Sequence, residues 1–173
     1  FVDSLVSCSS SKLRLASLSI SNTNVTEEGI SRIIRQCETI TQLKVSCQKS
    51  SRAVADAIRE RGSRLNVLEF SAATDSLLSA VASGCPGLVS LSVEDAADVE
   101  GSCLRLLHSS CPGLERLLLR KGRDITEANI RAWTESASGV PSRLAELALS
   151  GSLRVDNTAL AEFVTAVGGS VRF

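Results

Sequence analysis

One six-residue pattern recurs along this chain and constrains its fold more than any other feature. LASLSI (15–20), ITQLKV (40–45), LNVLEF (65–70), LVSLSV (88–93), LERLLL (114–119) and LAELAL (144–149) each read apolar-x-x-apolar-x-apolar. Their first positions lie 25, 25, 23, 26 and 30 residues apart, and Val171-Arg172-Phe173, 27 residues further on, reads as the start of a seventh. A near-constant period in this range marks an array of stacked repeats. The alternation within each string is that of a short strand with one buried face.

Between the strings, apolar residues return at helical spacing. The stripes are Ile30, Ile33 and Cys37; Ala55 and Ile58 before Gly62; Leu78, Val81 and Cys85; Leu104, Leu107 and Cys111; Ile130 and Trp133; Leu160 and Phe163. Thr26-Glu27, Thr74-Asp75, Thr126-Glu127 and Asp156-Asn157 supply start signals, because Thr or Asp accepts a bond from free N–H groups of the first turn. An acid there also suits the positive helix end. The predicted unit is a strand, a turn, a helix and a return. One unit cannot bury its own apolar face, but stacked neighbours can. The fold class predicted is therefore an α/β solenoid, one domain over 1–173 with about six repeats, a parallel sheet on one side and helices on the other. Such a thin core manages with aliphatic residues, which fits an aromatic content of 3%.

Charge narrows the range of partners. Lys and Arg number 19, as do Asp and Glu, so the basic excess needed for a dedicated nucleic-acid or membrane-surface binder is missing. No apolar run approaches the roughly 20 residues needed to cross a bilayer. The opening FVDSLVSCSSSK has neither the basic start nor the long apolar run of a signal peptide. With no Met anywhere and abrupt ends, the chain reads as a piece of a longer protein.

GCPGLVSLSV (84–93), SCPGLERLLL (110–119) and CETITQLKV (37–45) resemble cysteine-containing leucine-rich repeats, and NVTEEGISRIIRQC (24–37) is similar to the helical half of that repeat. The resemblance extends over almost the whole chain. It implies a right-handed horseshoe of the ribonuclease-inhibitor type, with parallel strands on the concave face and helices on the convex face. It implies protein-protein interaction as the function, best known from F-box substrate receptors of ubiquitin ligases and found also in ciliary, kinetochore and immune proteins; the alternatives are the substrate-recognition portion of such a ligase and a structural subunit of a large assembly such as a ciliary one. An adaptor and cullin would then be reached through regions outside these residues, since no F-box is present. The turn position where the family often carries Cys or Asn holds Thr23, Gln48, Ala73, Ala96, Gly122 and Ser152.

No catalytic constellation emerges, and no enzyme, cofactor or metal is expected. Cys37, Cys85 and Cys111 share one repeat position at the end of the helix. Neighbouring helices pack about 8–10 Å apart, whereas a disulfide needs Cα atoms within about 7 Å. Buried free thiols follow, consistent with a reducing compartment and an intracellular location, cytoplasmic or nuclear. Cys103 also falls in a core position; Cys8 and Cys47 have no assigned role. There is no C-x-x-C, and one His cannot complete a zinc set. His108 has no implied nucleophile or water to serve. Trp133 falls on a helix stripe, with loop 136–143 offering a partner for its N–H. Asn24-Val25-Thr26 matches a glycosylation sequon but sits where a helix should begin, so capping is the plainer role. No G-x-S-x-G, P-loop or G-x-G-x-x-G occurs.

The outward strand positions are Ser17, Ser19 and Ser21; Gln42, Lys44 and Ser46; Val67, Glu69 and Ser71; Ser90, Ser92 and Glu94; Arg116, Leu118 and Arg120; Glu146, Ala148 and Ser150. In register, Lys44 faces Glu69, Glu94 faces Arg120 and Arg116 faces Glu146. Two readings stand. These are solvated pairs that keep the face soluble, or they form a protein-binding surface of Lys44, Glu69, Ser92, Glu94, Arg116, Leu118, Arg120 and Glu146. In the second, Arg116 and Arg120 are the anchors and Leu118 is an exposed apolar contact. The Arg120-Lys121-Gly122-Arg123 run reads as a solvated loop or as a contact for phosphate or an acidic segment.

Overall fold

The computed structural model describes residues 15–21, 25–46, 52–136, 143–151 and 156–167. Among the described residues six strands alternate with six α-helices: β1 (Ser17–Ile20), α1 (Glu27–Gln36), β2 (Gln42–Val45), α2 (Arg52–Arg61), β3 (Val67–Phe70), α3 (Asp75–Gly84), β4 (Ser90–Val93), α4 (Ser102–Ser110), β5 (Arg116–Arg120), α5 (Glu127–Ser136), β6 (Glu146–Ser150) and α6 (Asn157–Val167). Each strand falls inside its predicted string or runs one residue past it. The strands form one open parallel sheet in sequence order, β1 to β6. Parallel neighbours need a crossover, and the intervening helices supply it. This is a solenoid-like stack of strand-helix units.

Register follows the repeat alignment. Leu43, Leu68, Leu91, Leu117 and Leu147 are successive Cα partners across β2 to β6. All five are buried, as are Val45, Phe70, Val93 and Leu119 two residues on. Above them lie the helix stripes. Ile30, Ile33, Ala55, Ile58, Leu78, Val81, Leu104, Leu107, Ile130, Trp133 and Phe163 join one continuous core. Burial of each large side chain contributes roughly 1.5–3 kcal/mol. Leu160 departs from the predicted stripe. It is half-buried, and Ala159 with Phe163 forms the covered side of α6.

Most helix starts follow the predicted signals. Thr26 accepts from the Gly29 N–H at 3.2 Å, Thr74 from the Leu77 N–H at 3.4 Å and Asp156 from the Ala159 N–H at 2.8 Å. At α5 the acceptor is instead Asn129 Oδ1, which takes the Thr126 N–H at 2.8 Å and hydroxyl at 2.7 Å. Helix α4 starts after Gly101, at φ 88°, with no side-chain cap.

Small residues at the turn position have a structural reason. The Ala73 N–H donates to the Asp95 carbonyl at 3.2 Å, Ala96 to Arg120 at 2.8 Å and Gly122 to Ser150 at 3.0 Å. Ala73, Ala96 and Gly122 are all buried. Each turn is thus tied to the next repeat through backbone. Thr23, Gln48 and Ser152 lie outside the described residues.

Candidate functional site: the outward face of the sheet

A strand sends alternate side chains to opposite sides, so the buried leucines fix which residues point outward. Gln42, Lys44, Arg116 and Arg120 are exposed; Val67, Glu69, Ser92, Leu118, Glu146 and Ala148 are half-buried. All-parallel sheets are usually covered on both faces. This one leaves a face open to solvent, which is the feature that makes it a candidate contact surface.

Two predicted pairs close. Lys44 Nζ lies 2.7 Å from Glu69 Oε2, its register partner. The hydrogen bond to Glu69 raises the Lys44 pKa, with the charges of Glu69 and Glu94 adding to it. Arg120 donates to Glu94 at 3.2 Å. The third pair does not close. Arg116 and Glu146 are Cα partners, yet no ion pair joins them among the described residues. Arg116 is therefore an exposed cation with no ion pair among the described residues, beside the carboxylate of Glu146.

Leu118 corrects the expectation of an exposed apolar contact. It is half-buried, between its register neighbours Ser92 and Ala148. Among the described residues the large apolar side chain that does stand out is Leu106 on α4, 41% exposed. Ser90, placed on the outward face by register, is only 8% exposed. At the C-terminal ends of β2 to β4, Lys44, Ser46, Glu69, Ser71, Ser92 and Glu94 line a small recess of about 60 Å³, together with Val45 and Phe70.

In the basic run, Arg120 is held by Glu94 and Lys121 by Asp95 at 3.6 Å, while Gly122 is buried and Arg123 exposed. Sequence reasoning missed the Lys121–Asp95 pair, because Lys121 sits at φ 59° in a turn rather than in the strand alternation. It missed Arg64 as well, whose guanidinium donates to the Arg61 carbonyl at 2.6 Å and to the Ile34 carbonyl. A basic residue after a helix is a recognisable capping signal, but its reach to the preceding helix is not.

Cys37, Cys85, Cys103 and Cys111 are free and buried. Cys37, Cys85 and Cys111 cap the C-terminal ends of α1, α3 and α4, and the Cys111 thiol donates to the Cys85 carbonyl at 3.4 Å. Burial pushes the Cys85 thiol up to about 12 and Cys111 to about 11. Cys103 is raised by burial and by its hydrogen bond to Asp75. Cys8, Cys47, Asn24 and most of loop 136–143 lie outside the described residues. Among the described residues no cluster of three His, Cys, Asp or Glu could hold a metal ion, and no helix is long and apolar enough to cross a membrane.

No family model and no curated protein matches this sequence. A solved structure, the crystal structure of the Rad7 and Elc1 complex in yeast, is similar at 17% sequence identity and a TM-score of 0.40. The match covers 90% of this chain and 55% of that one, so the chain spans about half the length of its structural neighbour. A likeness this distant says nothing about function.

Proposed function

We propose that this chain is a non-catalytic leucine-rich-repeat scaffold that binds a protein partner across the outward face of its sheet. The observation that carries this reading is the open face of a parallel sheet from which Arg116 projects, exposed and with no ion pair among the described residues. Arg is favoured at interaction hot spots because its planar fork binds carboxylates in two-pronged geometry. Arg120 is the second anchor, already oriented by Glu94. The strings 15–20 to 144–149 and the buried cysteines at the helix ends support the leucine-rich-repeat assignment, and the horseshoe shape of that family would make this face concave.

Affinity capture followed by calorimetry with the purified partner tests the reading. Arg116→Ala with Arg120→Ala is expected to weaken binding at least tenfold while leaving the melting curve nearly unchanged, since truncating an anchor costs about 2 kcal/mol or more. Glu28→Ala with Arg105→Ala, on the exposed side of α1 and α4, is expected to have no effect. The reverse pattern would move the interface to the helices and end the proposal.

A further inference from the structure

His108 is the chain's one histidine, and it faces away from the proposed binding surface. It lies on α4 with 6% of its surface exposed, at the joint with α5. Its ring stands 5.6 Å from that of Trp133, tilted by 38°. Trp133 in turn meets Phe163 of α6 edge-on at 5.8 Å. Nε2 of His108 is buried and has no hydrogen-bond partner among the described residues. A neutral imidazole can leave that nitrogen bare, with its proton on Nδ1, whereas an imidazolium carries N–H on both nitrogens. Charging His108 therefore places a cationic donor with no acceptor in an aromatic layer, and an unmatched buried charge is costly.

The Trp133 ring and the C-terminal end of α4 favour a positive charge there, but among the described residues no carboxylate or carbonyl accepts from Nε2. On α3 the titratable group is Asp75, which accepts from the Glu100 N–H at 2.9 Å, and Cys85 caps its end. On α5, Arg131 is turned to Glu127 at 2.7 Å and to Glu162 of α6 at 3.5 Å, and Glu135 is exposed. Helix α4 itself carries Arg105 and Cys103, with Cys111 at its end. Leu91, Val93, Leu117 and Leu119 face inward from β4 and β5. Burial lowers the His108 pKa.

We propose that His108 is an acid-sensitive latch between α4 and α5: neutral, it lets the joint pack; protonated, it loosens that joint while the first repeats stay closed. The sign follows from linkage. The unfolded or opened chain takes up a proton near pH 6.5, but the packed joint resists it. The latch is at full strength above about pH 6.5 and weakens as the pH falls below that value.

The test uses the whole chain. The imidazole resonance, unambiguous because there is one histidine, is followed by NMR through a pH titration. Amide exchange is measured about one pH unit above and one below the ordinary histidine value, corrected for intrinsic rates. Expected are a midpoint below that value and protection in α4 and α5 that falls by up to about tenfold at the lower pH. Helices α1 and α2 should not change, and His108→Phe should abolish the response. A midpoint at or above the ordinary value, unchanged α4–α5 protection, or the same response in His108→Phe would overturn the latch. Should the Phe variant fail to fold, the wild-type titration and exchange decide alone.

Discussion

At the scale of single residues, the tightest constraint is Gly84. A Cβ there would sit 2.3 Å from the Ile58 carbonyl oxygen, so α2 and α3 meet backbone to backbone. Gly84→Ala is predicted to cost about 1–3 kcal/mol by overpacking. At Gly87 the nearest atom to an added Cβ is 3.7 Å away, and Gly87→Ala should change stability by less than about 0.5 kcal/mol. Urea unfolding of the two variants checks the contrast. The thiols make a second residue-level prediction. Thiolate is the reactive form, and Cys85, Cys103 and Cys111 are buried with their pKa values raised. Peptide-resolved alkylation at neutral pH should leave these three unmodified until denaturant is added. Labelling of Cys85 or Cys111 in the native chain would show that the helix ends are open.

At the scale of elements, strand and helix positions were legible because each is defined by a buried face, and burial leaves a period in the sequence. Leu91 is fully buried in β4. Leu91→Ala should lose about 2–5 kcal/mol, the usual range for a buried leucine truncation. A loss below about 0.5 kcal/mol would mean the register is wrong. Thr74→Ala, which removes the acceptor for the Leu77 N–H, should cost about 1 kcal/mol; thermal unfolding measures both. What periodicity could not supply is the neighbour on each side. It placed Leu160 in the stripe, but α6 buries Ala159 instead. It placed Leu118 in the open, where flanking side chains half-cover it. It identified Arg116 and Glu146 as register partners, but side-chain rotamers decide whether a pair closes. The start of α4 had no side-chain signal to read, because Gly101 supplies a left-handed backbone rather than an acceptor.

At the scale of the whole molecule, one rule repeated along the chain produces both the core and the face. Inward positions must be aliphatic for neighbours to stack, and that demand made the fold readable. Outward positions face no such demand, so the partner's chemistry leaves no period to find. Its traces are local: Arg116, with no ion pair among the described residues, and the recess bordered by Lys44, Glu69 and Glu94. On the charged face two of the predicted pairs close, Lys44–Glu69 and Arg120–Glu94, and one does not. The central claim is that the repeats stack in sequence order with their leucines in register. Methyl NOESY on a leucine-labelled chain measures this most directly. The predicted result is a stepwise ladder of cross-peaks, Leu43 to Leu68, Leu68 to Leu91, Leu91 to Leu117 and Leu117 to Leu147. Missing rungs, or a cross-peak that joins Leu43 directly to Leu117, would contradict it.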